Sequence, residues 1–253
     1  MNILVSSSRG AGLPERMDLG PYPLRSDIKG GGKLKQLSQM ALALLPPPHR
    51  YKHTTHVYIL AGIPDLTEKL YSKHPYYNYT ESIFTEDPEQ AIHRMKQEIN
   101  TCAKTITDAG ATPCFATITS CDIHKYNQTL LKDNKTSELL HKNYYEDMQT
   151  RLHTTIEEVN KYIAQTNREH NMSTPFCHTA IKKRSGKGTD AHYTYRYSLL
   201  YDGVHGKNST KRDWARTLAN AIRLNRQQSE SSTEDEAHSP KRSWAREKRQ
   251  RLD

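Results

Sequence analysis

The chain has 253 residues, of which 34% are hydrophobic, and a formal net charge of +9. That length supports one sizeable core, but its longest apolar stretch, Met40 to Leu45, is cut off by Pro46-Pro47-Pro48 and is far too short to span a bilayer. The four cysteines, Cys102, Cys114, Cys121 and Cys177, form no CxxC pair, so neither a zinc ribbon nor a disulfide framework is indicated.

Charge is unevenly placed. Ser229 to Asp253 carry six Lys/Arg and six Asp/Glu, so the whole positive excess lies on the remainder. A basic folded surface suits polyanionic partners such as RNA or DNA. Ser6 to Gly10 interrupt any signal-peptide core, so the expectation is an intracellular protein, cytoplasmic or nuclear, and not a secreted one.

Asn2 to Val5 form a short apolar run that breaks into Ser6-Ser7-Ser8-Arg9-Gly10, which reads as a buried strand ending in a tight turn. A short extended piece follows near Asp27 and Ile28, then Gly30-Gly31-Gly32. Leu34, Leu37, Met40, Ala41 and Leu44 have helical spacing, ended by the triple proline. Val57 to Ala61 is a second strand, followed by the turn Gly62-Ile63-Pro64-Asp65. Tyr71 to Thr85 is a tyrosine-rich insertion without a clear period, and its Tyr76, Tyr77 and Tyr79 either stack on a ligand or pack on their own domain.

Asp87-Pro88 opens a helix with a capping aspartate and a proline in the first turn, and Ile92, Met95, Ile99, Cys102 and Ile106 mark its apolar stripe up to Gly110. Cys114 to Thr119 is the next strand, with Asp122 to Asn127 in the turn after it. Leu140 to Ile163 carry the stripe of a long helix from about Ser137 to Asn167. Pro175 to Ile181 reads as a strand, and the basic loop Lys182-Lys183-Arg184 with Lys187 comes next. Tyr193, Tyr195 and Tyr197 then alternate with Thr194 and Arg196, and a last helix runs from about Thr210 to Arg226. The alternation of strands and helices predicts an α/β protein, a doubly wound three-layer α/β/α sandwich over 1–226. Residues 227–253 read as a disordered, acidic-then-basic tail. Its cations Lys241, Arg242, Arg246, Lys248, Arg249 and Arg251 suit a nuclear import receptor or nucleic acid, or are plain solvated charge.

Between the late strand and the last helix lies Tyr201-Asp202-Gly203-Val204-His205-Gly206. An aspartate three residues before a histidine on a glycine-bearing turn can hold one imidazole nitrogen and aim the other at a nucleophile. Ser8, at the end of the first strand, is the candidate partner, although three serines beside glycine are also ordinary turn chemistry. His53 and His56 form an HxxH before a strand, without a third ligand, and no metal site or cofactor is read.

The order ILVSSSRGAGL, GGGKLKQL, YILAGIPDLT and YDGVHGKN, spread over nearly all of 1–226, resembles the SGNH or GDSL-type hydrolase family. The resemblance implies a flavodoxin-like parallel sheet, here of about five strands, and hydrolysis of a small acyl ester, thioester or acetyl group. It makes Ser8 the nucleophile, His205 the base and Asp202 its orienting acid. The backbone N–H groups of Ser8 and Gly31 would form the oxyanion hole, with Gly30 and Gly32 as alternatives to Gly31. Two departures stand out: the family's Gly-Asp-Ser is Ser6-Ser7-Ser8, and its Gly-x-Asn-Asp is Gly62-Ile63-Pro64-Asp65. Pro64 has no side-chain donor, which leaves Pro64 and Asp65 as substrate-loop candidates. The alternative reading is an SGNH-like domain without a working site that binds RNA or DNA through Lys182, Lys183, Arg184, Lys187 and Arg196 with the interleaved tyrosines.

Overall fold

The first apolar run and the ones like it pair in parallel and bury both faces, as their near-continuous hydrophobicity requires. The computed structural model describes residues 1–47, 54–74, 77–130, 142–185 and 192–238. In chain order these contain β1 (Asn2–Ser6), β2 (Leu24–Ile28), α1 (Leu34–Leu44), β3 (Thr55–Leu60), the helical turn α2 (Ile63–Leu66), β4 (Glu68–His74), β5 (Tyr77–Ile83) and α3 (Pro88–Asp108). There follow β6 (Ala111–Phe115), α4 (Ile123–Leu130), α5 (Lys142–Glu169), β7 (Lys182–Ser185), β8 (His192–Tyr195) and α6 (Asn208–His238).

The main sheet is parallel, in the order β2-β1-β3-β6. Alternate side chains divide between two layers, as the period of a strand demands. Ile3, Val5, Val57 and Ile59 pack with Leu37 of α1, Met95 and Ile99 of α3 and Ile156 and Ile163 of α5. Leu4, Tyr58 and Cys114 face the other way, onto Ala219 and Ile222 of α6. Two helical layers thus enclose the sheet, three layers in all, as the strand and helix order predicts.

The sheet has four strands among the described residues, not about five. The segment expected to supply another, Pro175 to Ile181, turns into a 3-10 helix at Cys177–Ile181. Side-chain amides from α5 take over the pairing along the edge. Asn167 Oδ1 accepts the N–H of Phe115 at 2.8 Å and its Nδ2 donates to the same residue's carbonyl at 2.8 Å. Asn160 does the same for Ile118, at 2.6 and 2.9 Å. Each asparagine mimics one ladder position of a missing strand and satisfies a buried donor and acceptor together.

Other elements differ from the sequence expectation. Tyr71 to Thr85 belongs to an antiparallel hairpin, β4 with β5, while Tyr76 lies outside the described residues. The turn expected after β6 contains the helix α4. The alternating tyrosines form a strand only through Tyr195, and Tyr197–Leu199 is a 3-10 turn. Helix α6 continues past Arg226 to His238, and Arg226 is buried, donating to Asn2 Oδ1 at 2.9 Å and to the Thr54 carbonyl at 2.7 Å. The rest of the tail, including Lys241 to Arg251, is outside the described residues.

Asn167→Ala leaves both backbone groups of Phe115 without their partner. It is expected to destabilise the fold by about 2–4 kcal/mol, read from the denaturant midpoint at unchanged slope.

Candidate active site

Ser8 follows β1 directly, between β2 on one side and β3 on the other. This is where the chain reverses its direction of travel across the sheet, the position at which open α/β sheets gather ligands. Its turn is pinned from both neighbours: Ser7 N–H donates to the Leu60 carbonyl at 3.1 Å, and Lys29 N–H donates to the Ser6 carbonyl at 2.8 Å. Ser6 is buried and points its hydroxyl at the Leu60 carbonyl, 2.9 Å away. A Cβ at position 10 would lie 2.3 Å from Ser6 Oγ, so the close approach of the two turn segments requires glycine there.

Asp202 and His205 arrive from the far end of the chain on the turn before α6, closed by a bridge between Leu200 and Gly206. His205 Nε2 lies 2.9 Å from Ser8 Oγ, and His205 Nδ1 lies 2.6 Å from Asp202 Oδ2. The other carboxylate oxygen of Asp202 accepts the N–H groups of Val204 at 2.9 Å and His205 at 2.7 Å. Burial pushes the Asp202 carboxyl up, but these hydrogen bonds from His205 and the backbone outweigh it and hold its pKa at about 2. Asp202 is therefore an anion at neutral pH, which fixes a proton on His205 Nδ1 and leaves Nε2 to face Ser8. The tight turn depends on Gly203, at φ +89°, where a Cβ would meet the Asp122 carbonyl oxygen at 2.3 Å.

Ser8 and His205 open onto a cleft of about 570 Å³. Gly30 and Gly31 both line it, while the N–H of Gly32 donates to the Lys29 carbonyl at 2.9 Å, which closes the turn and uses that group up. Pro64 also lines the cleft, with Ile63 and Val204. Asp65 does not. It is buried under α1, where Oδ1 accepts the Leu34 N–H at 2.9 Å. Burial, with Glu98 nearby, raises its pKa to about 7 in spite of that bond. Asp65 thus joins the Pro64 turn to the glycine loop and has no contact with the cleft.

The structure also brings in residues that sequence reasoning missed. Arg9, directly after Ser8, is 5% exposed, and its guanidinium donates to the carbonyls of Thr119 and, at 3.3 Å, Ser120. Lys33, Lys69, Ser82 and Tyr126 line the cleft as well. Asn127 holds the Ser82 backbone through two 2.8 Å bonds. The basic strip expected near 182–196 is divided. Lys182 is spent on Glu157 at 2.7 Å and lies over the rings of Tyr193 and Tyr195. Tyr197 is turned inward onto His153 and Ser120, and Tyr195 donates to Glu157. Lys183, Arg184, Arg196 and Tyr193 are exposed, and Lys187 is outside the described residues. The tyrosines therefore do not form a free stacking row: two of the three hydroxyls bind polar groups of α5.

No protein-family model and no curated protein matches the chain. Solved structures do match its fold. It is similar to a GDSL-like lipase from Bacteroides thetaiotaomicron, with a TM-score of 0.52 and 10% identity over 88% of each chain. It is also similar to the lipase/acylhydrolase from Enterococcus faecalis, with a TM-score of 0.51 and 13% identity over 88% of this chain and 96% of that one. The chain has the SGNH/GDSL hydrolase fold.

Two outcomes are expected of the turns around this cleft. Gly203→Ala forces a strained φ and a backbone clash, and lowers stability by about 1–3 kcal/mol in a denaturant melt. For Asp65, folding raises the pKa above the ordinary carboxylate value, so its contribution to stability is full at acid pH and is lost as pH rises towards about 7. Asp65→Asn keeps an acceptor for Leu34 and removes that loss. Its melting temperature relative to wild type therefore climbs by a few degrees between about pH 4 and about pH 8.

Proposed function

We propose that the protein is a serine-dependent acyl-ester hydrolase, a divergent member of the SGNH/GDSL-type family. The observation that carries this reading is the continuous hydrogen-bonded series Ser8 Oγ, His205 Nε2, His205 Nδ1, Asp202 Oδ2, formed between groups 197 residues apart in sequence. A solvated Asp and His in a loop have no reason to meet a serine at a strand's end with this geometry.

In this reading Ser8 Oγ attacks the ester carbonyl carbon while His205 Nε2 takes the hydroxyl proton. Asp202, ionised and held by its two backbone donors, stabilises the imidazolium that results. The tetrahedral oxyanion is met by the N–H of Ser8 and that of Gly31 or Gly30. Collapse breaks the ester bond, and the leaving alcohol takes the proton from His205. Water then attacks the acyl-Ser8 carbonyl, giving its proton to His205. The acid departs, and the proton returns to Ser8. Pro64 stands where a third donor would be, which costs on the order of a hundredfold in rate against a site that has one. The cleft volume suits a small ester.

Turnover of an activated short-chain ester tests this. Ser8→Ala is expected to lose about 10⁴-fold or more, and Asp202→Asn about 10³–10⁴-fold, with the fold intact by circular dichroism. Equal turnover by wild type and Ser8→Ala would refute the assignment.

A further inference from the structure

The cleft is unusually cationic for one that handles neutral esters. Among the described residues, Arg9, Lys33 and Lys69 line it against a single carboxylate, Glu68. Lys33 and Lys69 are exposed, and neither ammonium forms an ion pair among the described residues. They come from different elements, the start of α1 and strand β4, so their convergence on one opening is a product of the fold. Among the described residues, the aliphatic lining is limited to Ile63, Pro64 and Val204.

Arg9 adds a second, independent observation. It is buried beside the nucleophile and bonded to two backbone carbonyls, with no carboxylate in ion-pair range among the described residues. Its Nε–H meets no acceptor there. The Asp202 carboxylate acts on it from beyond ion-pair distance, and a buried cation without a direct ion pair is costly, so a neutral side chain would fill the space more cheaply. A cation kept in this place sends a weakly screened positive field into the adjoining cleft.

We infer that the substrate is a short-chain acyl ester that also carries an anionic group, a carboxylate or a phosphate, which Lys33 and Lys69 receive within the field of Arg9. This deepens, and rests on, the hydrolase reading above.

Paired probes test it. The second-order rate of Ser8 phosphonylation is measured for a neutral alkyl fluorophosphonate and for its analogue ending in a carboxylate, each divided by the probe's own hydrolysis rate. The expected result is an advantage of about tenfold or more for the anionic probe at low salt, falling towards unity at high salt. In Lys33→Gln/Lys69→Gln the ratio of the two rates also falls towards unity. Equal rates for both probes in wild type, or an advantage indifferent to salt and to the lysines, overturn the inference and leave the hydrolase reading standing. Labelling by neither probe overturns the hydrolase reading itself.

Discussion

The hydrogen bond between Ser8 and His205 requires two turns from opposite ends of the chain to be held at a fixed separation. Most of the fold can be understood as meeting that requirement. One turn ends the central strand of a sheet buried on both faces, where Ser7 and Ser6 are tied to β3 and to the end of β2. The other is fastened by the Leu200–Gly206 bridge and by the Gly203 carbonyl, which accepts the Asp122 N–H at 2.8 Å. Helix α6 then carries the chain back across the sheet, and Trp214, buried against Leu60 and Ala116, sets its height. Neither turn moves without disturbing a packed layer.

Polar side chains do much of the joining that backbone pairing does elsewhere. Asn160 and Asn167 finish the edge of the sheet, Asn127 holds the hairpin at the cleft, and Asp65 couples the Pro64 turn to α1. Arg9 links the Ser8 turn to the carbonyls after β6. Each of these is buried with its main bonds made inside the protein, so each is sensitive to substitution by an apolar residue of similar size. The site is thus positioned by a layer of amides and charges beneath it as well as by the hydrophobic core.

The first strand end was readable because an apolar run broken by serine and glycine has few other interpretations, and Ser8 falls at that break; Gly31, Asp202 and His205 were readable as members of glycine-bearing turns. The layers followed from the spacing of Leu37, Met95, Ile99 and Ile163. What escaped was burial of polar residues. Nothing in the pattern singles out Asn160, Asn167 or Arg9, since no sequence signal says that a strand edge or a row of carbonyls lies beside them. Lys182 and Tyr195 looked like a free basic, aromatic surface, whereas Glu157, from α5, engages both. Composition shows charge, and only the tertiary contacts show which charges are already answered.

The central claim is that Ser8, among three consecutive serines, is the nucleophile. Treatment with a neutral fluorophosphonate followed by tryptic digestion and fragment sequencing of the peptide Met1–Arg9 tests it most directly, since that peptide contains Ser6, Ser7 and Ser8. A single phosphonyl adduct on Ser8, absent from His205→Ala, is the expected result. Modification of Ser6 or Ser7, or an adduct on Ser8 that forms equally fast without His205, would contradict it.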